Sequence, residues 1–326
     1  MIEIDEIKQQ LRDVNVVSFS GGKDSTAVLQ LVLSAIENTG KKLYILTADT
    51  FMEIPFYQSY VLDIKHRLND YIRNKGLNAE IITVYPSYDR TFWVRTLGYG
   101  YPMPHMTFRW CTGAVKVDPI MSAVKNMPGA MTFVGVRQVE SKERASRYKV
   151  KNYQLNHFAP ILYWSNSDVW EYLLTEPCPW GENHRELVQV YRYASDECVY
   201  GLKQNVCIGN ARYGCWICPL QKSIQLDLIA YHTKDDRYLD LKKYKDAYIG
   251  YSTHYKYRSN IRRNMENGAG PFLVETRREL FEKLKELERQ TGWQLITPAE
   301  EQQIFDLWVS EKDLHNIPCD LVGQLF

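Results

Sequence analysis

The chain lacks several features, and each absence narrows what it can be. No apolar run approaches the ~18 residues that cross a bilayer. The opening stretch, MIEIDEIKQQLRD, is acid-bearing and has no apolar core of a secretory leader. Both absences point to a cytoplasmic protein without membrane contact. Charge of one sign is not in excess either: 40 Lys and Arg stand against 39 Asp and Glu, a net of +1. Recognition of nucleic acid by overall charge is thereby excluded, and any such role must rest on a local patch. Internal repeats and low-complexity tracts are absent. The seven cysteines are an odd number, which in a reducing compartment argues against a disulfide framework and for metal or thiol chemistry. What is present is a globular composition, 45% hydrophobic and 24% charged over 326 residues, enough for about two domains.

Strand and helix signals alternate over the first half. VNVVSF at 14–19, LYILTA at 43–48, AEIITVY at 79–85 and TFVGV at 132–136 read as strands, with helical runs after residue 23 and after Pro55 between them. This rhythm predicts an α/β fold with a doubly wound parallel sheet. Ligands of such sheets bind beyond the strand C-termini, where SGGKDS, Asp49, Tyr85 and Arg137 fall. After about residue 160 the pattern changes to helices and a loop rich in Pro, Gly and Cys. SNSDVWEYLLTE reads as a helix with Ser167 and Asp168 at its N-terminus. The stretch 275–290 is a secure amphipathic helix, with apolar positions 280, 281, 284 and 287 on one face. The expected domains are 1–160, nucleotide-binding, and 161–326, mostly helical.

Ser20-Gly21-Gly22-Lys23-Asp24-Ser25 lies between a strand and a helix. The glycines permit a tight turn that brings backbone N–H groups to an anion. The hydroxyls of Ser20 and Ser25 and the Lys23 ammonium complete a phosphate cradle. A Walker A loop is excluded because position 17 is Val and Asp24 follows Lys23. The segment resembles the SGGxDS loop of the adenine-nucleotide alpha-hydrolase (PP-loop) superfamily. That resemblance implies ATP with magnesium, held by residues 20–25, Thr26 and Asp49, with Lys23 and Asp24 positioning the triphosphate.

Cys111 in FRWCTGAVKVDPI follows Arg109 at the start of a helical run, a setting that favours thiolate. GVRQVESKERASR at 135–147 spaces Arg137, Arg144 and Arg147 to meet a polyanion, with Glu140 among them. Cys198, Cys207, Cys215 and Cys218 form C-x8-C-x7-C-x2-C. Four thiolates suit zinc or an iron–sulfur cluster, and spacing does not choose between them. Together with FRWC, GxRxxES and the GCWIC pair, these segments resemble the phosphoadenosine phosphosulfate reductase branch of the superfamily. More closely they are similar to the DndC-type sulfurtransferases of bacterial DNA phosphorothioation. The resemblance runs from residue 14 to about 308.

It implies a [4Fe-4S] cluster on the cysteine quartet and a C-terminal metal-cluster domain. It also implies ATP-dependent adenylylation of the DNA backbone, followed by insertion of sulfur held on Cys111. Partners would be DNA, a cysteine desulfurase as sulfur donor and other subunits of a defence-related modification complex. LKKYKDAYIGYSTHYKYRSNIRR at 241–263 is a candidate DNA-tracking stretch or a plain surface helix pair. Two alternatives stand beside this reading: a thiol-dependent reductase of adenylyl-sulfate compounds, and a non-catalytic, nucleotide-gated DNA-binding subunit.

Overall fold

The computed structural model describes residues 4–140, 153–154, 156–194, 214–221, 224–262 and 265–315. Two compact units share the chain. The first takes Met1–Asp49, Ile54–Tyr85 and Val117–Tyr213, and the second takes Thr50–Glu53, Pro86–Lys116 and Gly214–Phe326.

The first unit is built on a six-stranded sheet. Its strands are β1 (Val14–Ser18), β2 (Lys42–Ala48), β3 (Ala79–Val84), β4 (Met131–Phe133), β5 (Tyr153–Gln154) and β6 (His157–Phe158), ordered β3-β2-β1-β4-β6-β5. Val14 sits opposite Lys42 and Asn15 opposite Met131, so β1 is flanked by parallel neighbours. β3 and β6 extend the parallel pairing, and β5 closes it with a short antiparallel pair to β6. That hairpin has no counterpart in the sequence expectations.

Helices α1 (Ile4–Gln10), α2 (Lys23–Ile36), α3 (Pro55–Lys75) and α5 (Asp118–Lys125) belong to this unit; α4 (Trp110–Thr112) belongs to the second. Val17 and Phe133 pack in one core with Leu29, Val32, Ile64 and Leu68 of α2 and α3. Val16 and Leu46, alternating onto the opposite face, pack with Ile120, Ala123 and Val124 of α5. Helices on both faces explain why β1 and β2 read as near-continuous apolar runs. Each fully buried Leu or Val of α2 contributes roughly 1.5–3 kcal/mol over an exposed one. Pro55 at its N-terminus starts α3, and Gly76, at φ 61°, ends it in the left-handed conformation.

The sequence places one boundary near residue 160, but the chain divides otherwise. Helices α6 (Asn166–Thr175) and α7 (Arg185–Ala194) belong to the sheet unit. Their apolar faces, Val169, Trp170, Leu173, Leu187, Val188 and Tyr191, are buried in the same core as α2. α6 opens on a reciprocal cap in which Ser165 and Asp168 bond each other's backbone. The cap residue is therefore Ser165, two positions before Ser167.

The second unit is helical: α8 (Ile224–Thr233), α9 (Arg237–Thr253), α10 (Val274–Thr291) and α11 (Pro298–His315). Leu280, Phe281, Leu284 and Leu287 are buried on one face of α10. An aromatic cluster of Trp93, Trp216, Tyr244 and Tyr248 fills its core, with ring centroids about 6 Å apart. Two of these rings have their polar ends matched: Trp93 donates to the Leu295 carbonyl at 2.7 Å and Tyr244 to the Leu280 carbonyl at 3.1 Å. Tyr244 and Tyr248, two of the chain's 23 tyrosines, are thus core. No described helix is long and apolar enough to cross a membrane.

Candidate functional site

The 20–25 loop joins β1 to the N-terminus of α2, beyond the C-terminal end of a central strand. Gly21 adopts φ 80°, and a Cβ there would lie 2.7 Å from Val61 Cγ2. Glycine is thus required twice over. Within the loop, the Ser20 and Ser25 hydroxyls are 3.1 Å apart, and Ser25 Oγ donates to the Gly22 carbonyl at 2.9 Å. Tyr57 donates to the Ser20 carbonyl at 2.6 Å. The Lys23 amide donates to Tyr191 Oη at 3.1 Å, and the Lys23 ammonium lies 4.8 Å from the centre of the same ring. The loop is held in shape by its own hydroxyls and by two tyrosines. Thr26 is buried, and its hydroxyl has no hydrogen-bond partner.

Charge is concentrated at the same place. Arg137 Nε lies 2.6 Å from Asp24 Oδ1, and Lys23 Nζ lies 3.9 Å from Asp24 Oδ2. Arg137 is the arginine that follows β4, and it meets the loop's own carboxylate. Two cations, Lys23 and Arg137, are thus gathered at the N-terminus of α2, an arrangement suited to phosphate. Gly135 permits this approach. A Cβ there would meet the Asp24 carbonyl carbon at 3.0 Å and the Ser25 nitrogen at 3.1 Å.

Asp49 follows β2, and its amide donates to Val84 at 3.0 Å. Its charge favours the ammonium of Lys65, whose pKa is lowered chiefly by burial. Lys65 donates to Thr83 Oγ1 at 2.6 Å. Arg144 and Arg147 lie outside the described residues.

Three cysteines of the second unit, Cys111, Cys215 and Cys218, fall among the described residues. Cys218 donates its amide to the Cys215 carbonyl at 3.0 Å, so the C-x-x-C pair forms one turn. Cys215 bridges to Glu53 in a short antiparallel contact, and its sulfur is 3.7 Å from Thr50 Oγ1. Burial pushes the Cys215 thiol up to about 12. The charge of Lys116 pulls it down, and that of Glu53 pushes it up. Burial likewise raises the Cys111 thiol, and Cys218 is the next cause. Cys111 does stand at the start of a helical run, in which α4 is continued by a π-helical stretch over Gly113–Val117 and then by α5, but burial is a larger influence on the thiol than the charge of Arg109. Cys198 and Cys207 lie outside the described residues. Among the described residues, no three Cys, His, Asp or Glu side chains are placed to hold a metal ion.

The basic stretch is largely engaged within its own unit. Lys242 pairs with Asp227 at 2.7 Å and Lys243 with Asp240 at 2.8 Å. Arg258 donates to the carbonyls of Gly270 and Ala269 at 2.8 and 2.9 Å, and Arg262 pairs with Glu266 at 3.6 Å. Lys245 is 1% exposed. Arg263 lies outside the described residues.

Residues 14–221, more than half of the chain, match the profile of the phosphoadenosine phosphosulfate reductase domain. The chain belongs to this family. An uncharacterized protein of Methanocaldococcus jannaschii is 27% identical over 229 residues, which cover 68% of this chain and 39% of that protein. The chain thus spans about two fifths of that relative's length. A phosphoadenylyl-sulfate reductase of Candida auris, solved with phosphate, has 14% identity over 57% of this chain and 90% of its own, with TM-score 0.34. A tRNA thiolase of Methanococcus maripaludis, solved with its [4Fe-4S] cluster, has 13% identity over 77% of this chain and 80% of its own, with TM-score 0.33.

Within the family domain, sequence reasoning missed Tyr57, Tyr191 and Gly135 at the loop. None carries a local motif, because each reaches the loop only through tertiary packing. Lys116, Glu53 and Thr50, which surround Cys215, were missed for the same reason.

Proposed function

We propose that the protein is an ATP-dependent sulfurtransferase acting on the DNA backbone. The observation that supports the nucleotide half is the Lys23–Asp24–Arg137 constellation on the N-terminus of α2. ATP is the substrate, its phosphates held by the loop amides, Lys23 and Arg137. A magnesium ion carried by the triphosphate takes only one or two protein carboxylates, and Asp24 and Asp49 are the acids available. A non-bridging phosphate oxygen of DNA attacks the alpha phosphorus. The new P–O bond forms as the anhydride bond breaks, and pyrophosphate leaves with the electron pair.

Sulfur enters as a persulfide on Cys111, loaded by a cysteine desulfurase. Its terminal sulfur attacks the activated DNA phosphorus, and AMP leaves. An added dithiol then cleaves the S–S bond, which releases the phosphorothioate and restores Cys111. The assignment of DNA as acceptor, and of further subunits, follows the sequence resemblance alone. The donor chemistry of the 215–218 turn, two thiols on one turn, fits a soft metal centre. Cys215 and Cys218, completed by Cys198 and Cys207, would hold a [4Fe-4S] cluster, whose chemistry when bound is electron transfer.

The family match favours a second reading, a thiol-dependent reductase of phosphoadenosine phosphosulfate. Exchange of labelled pyrophosphate into ATP, with and without DNA, tests the first. Exchange stimulated by DNA is the expected result. No exchange under any condition, together with thiol-dependent release of sulfite from phosphoadenosine phosphosulfate, would overturn it in favour of the second.

A further inference from the structure

Tyr191 of α7 meets Lys23 at two points. Its hydroxyl accepts the Lys23 amide at 3.1 Å, and the Lys23 ammonium lies 4.8 Å from the centre of its ring. The lysine side chain thus folds back over the residue that binds its own backbone. Both partners are shielded from solvent, Lys23 at 6% and Tyr191 at 4% exposure. The ring is itself fixed. Trp170 of α6 meets it at 5.0 Å between centroids, with the two planes 89° apart. A ring held by such an edge-to-face neighbour presents a constant face to whatever lies over it. Backbone contact and ring face together define where the ammonium of Lys23 sits.

A lysine ends a long flexible stem, and an ammonium that is to stabilise a phosphate must be held in one place. Asp24 gives Lys23 the weaker hold: its carboxylate is 3.9 Å from the ammonium, against 2.6 Å from Arg137. The ring attracts the whole ammonium charge rather than a single N–H, and does so most strongly in a desolvated setting. The contact therefore persists as the group turns toward a ligand. We propose that Tyr191 is a positioning residue of the phosphate site. It aims the Lys23 ammonium at the phosphates of the nucleotide and holds it there as negative charge grows on the departing pyrophosphate. Its effect falls on the transition state more than on the ground state. The inference rests on the reading of the 20–25 loop as an ATP site. It is independent of the acceptor and of the cysteine turn.

The test is a double-mutant cycle in the full chain, read by exchange of labelled pyrophosphate into ATP in the presence of DNA. Tyr191→Leu removes both ring and hydroxyl, and kcat should fall about tenfold, less than the ~100-fold that a 1 Å misplacement can cost. KM for ATP should stay within about threefold of wild type, since ground-state binding is shared with the loop amides and Arg137. In a Lys23→Met background the same change should alter kcat by less than about twofold, because a residue acting through Lys23 has nothing left to act on. Tyr191→Phe, which keeps the ring, should retain at least about a third of the wild-type kcat. Three results would each overturn the proposal and leave the ATP reading standing: additive losses across the cycle, a folded Tyr191→Leu protein with wild-type kcat, or a Phe variant as slow as the Leu variant. Where exchange by wild type or Lys23→Met is too slow to measure, the cycle is read on dissociation constants for magnesium-ATP. Tyr191→Leu should then weaken binding about threefold beside Lys23 and leave it unchanged without Lys23, and equal losses in both backgrounds overturn the proposal. If Tyr191→Leu does not fold, Tyr191→Phe replaces it in the cycle, with coupling to Lys23 upholding the proposal and additivity overturning it. A wild type that does not bind magnesium-ATP ends the ATP reading and the proposal with it.

Discussion

Replacing Arg137 by Met tests the charge arrangement at the loop most directly. The guanidinium and the Asp24 carboxylate are 2.6 Å apart, with side chains 6% and 19% exposed. Removing one partner of a buried pair costs about 3–5 kcal/mol. Here Lys23 remains 3.9 Å from the other carboxylate oxygen, and Asp24 keeps a solvent-facing side. The expected loss is therefore smaller, about 2 kcal/mol. Nucleotide binding falls for a separate reason, since one of the two cations gathered at the helix N-terminus disappears. A unit charge about 6 Å from a phosphate is worth about 3 kcal/mol at an effective dielectric constant of 20. With half of that screened by solvent, ATP should bind roughly tenfold more weakly. Urea denaturation followed by circular dichroism measures the first effect, and titration calorimetry with magnesium-ATP measures the second. Affinity within twofold of wild type would refute the assignment of Arg137 to the phosphate site. A stability change below about 0.5 kcal/mol would refute the energetic account of the pair.

Further outcomes are expected. Gly135→Ala should lower both the melting temperature and ATP affinity, because its Cβ would press on the Asp24 carbonyl carbon at 3.0 Å. Gly113→Ala, with nothing within 4 Å of the added carbon, serves as the neutral control, and equal behaviour of the two variants counts against the close approach. Burial holds His184 down at about 4, from an ordinary value near 6.5. The unfolded chain thus binds a proton in this window that the folded one refuses, and stability falls as pH drops from about 6.5 toward 4. His184→Asn should lose the hydrogen bond to Gln30, 2.7 Å in wild type, yet flatten this acid slope; an unchanged slope in urea midpoints from pH 7 to 4 would point to other groups. Cys111→Ser should retain ATP–pyrophosphate exchange and lose sulfur transfer, since serine forms no persulfide. Phosphorothioate at wild-type levels in cells carrying the variant would remove Cys111 from the chemistry.

Much of the sheet unit was legible because its signals are local. VNVVS and KLYILTA are apolar runs of strand length followed by turn residues. The SGGKDS loop was legible for the same reason. The pairing of Arg137 with Asp24 was not, because 113 residues separate them and only the parallel placement of β4 beside β1 brings them together. The assignment of α6 and α7 to the sheet unit was hidden likewise: their amphipathic faces reveal that they pack, not on what. The basic stretch left two readings open, a phosphate track and a plain surface helix pair. The run of Lys, Arg and Tyr does not reveal all that engages it: Asp240 is a close neighbour of Lys243, but Asp227 lies 15 residues from Lys242 and the 269–270 carbonyls are backbone groups.

The contact of Tyr191 with the backbone of Lys23 spans 168 residues, and this interval has a consequence for synthesis of the chain on the ribosome. At 5–20 residues per second, about 8 to 34 seconds pass between the emergence of the loop and of the tyrosine that holds it. During that interval the strand-bearing N-terminal segment must wait with the apolar side of α2 uncovered by α6 and α7. The insertion of residues 86–116, which belong to the other unit, lengthens the wait. A nascent chain of this design is a natural client for a holding chaperone, and ribosome-bound fragments ending before residue 194 should be far more protease-sensitive at the loop than fragments extending beyond it.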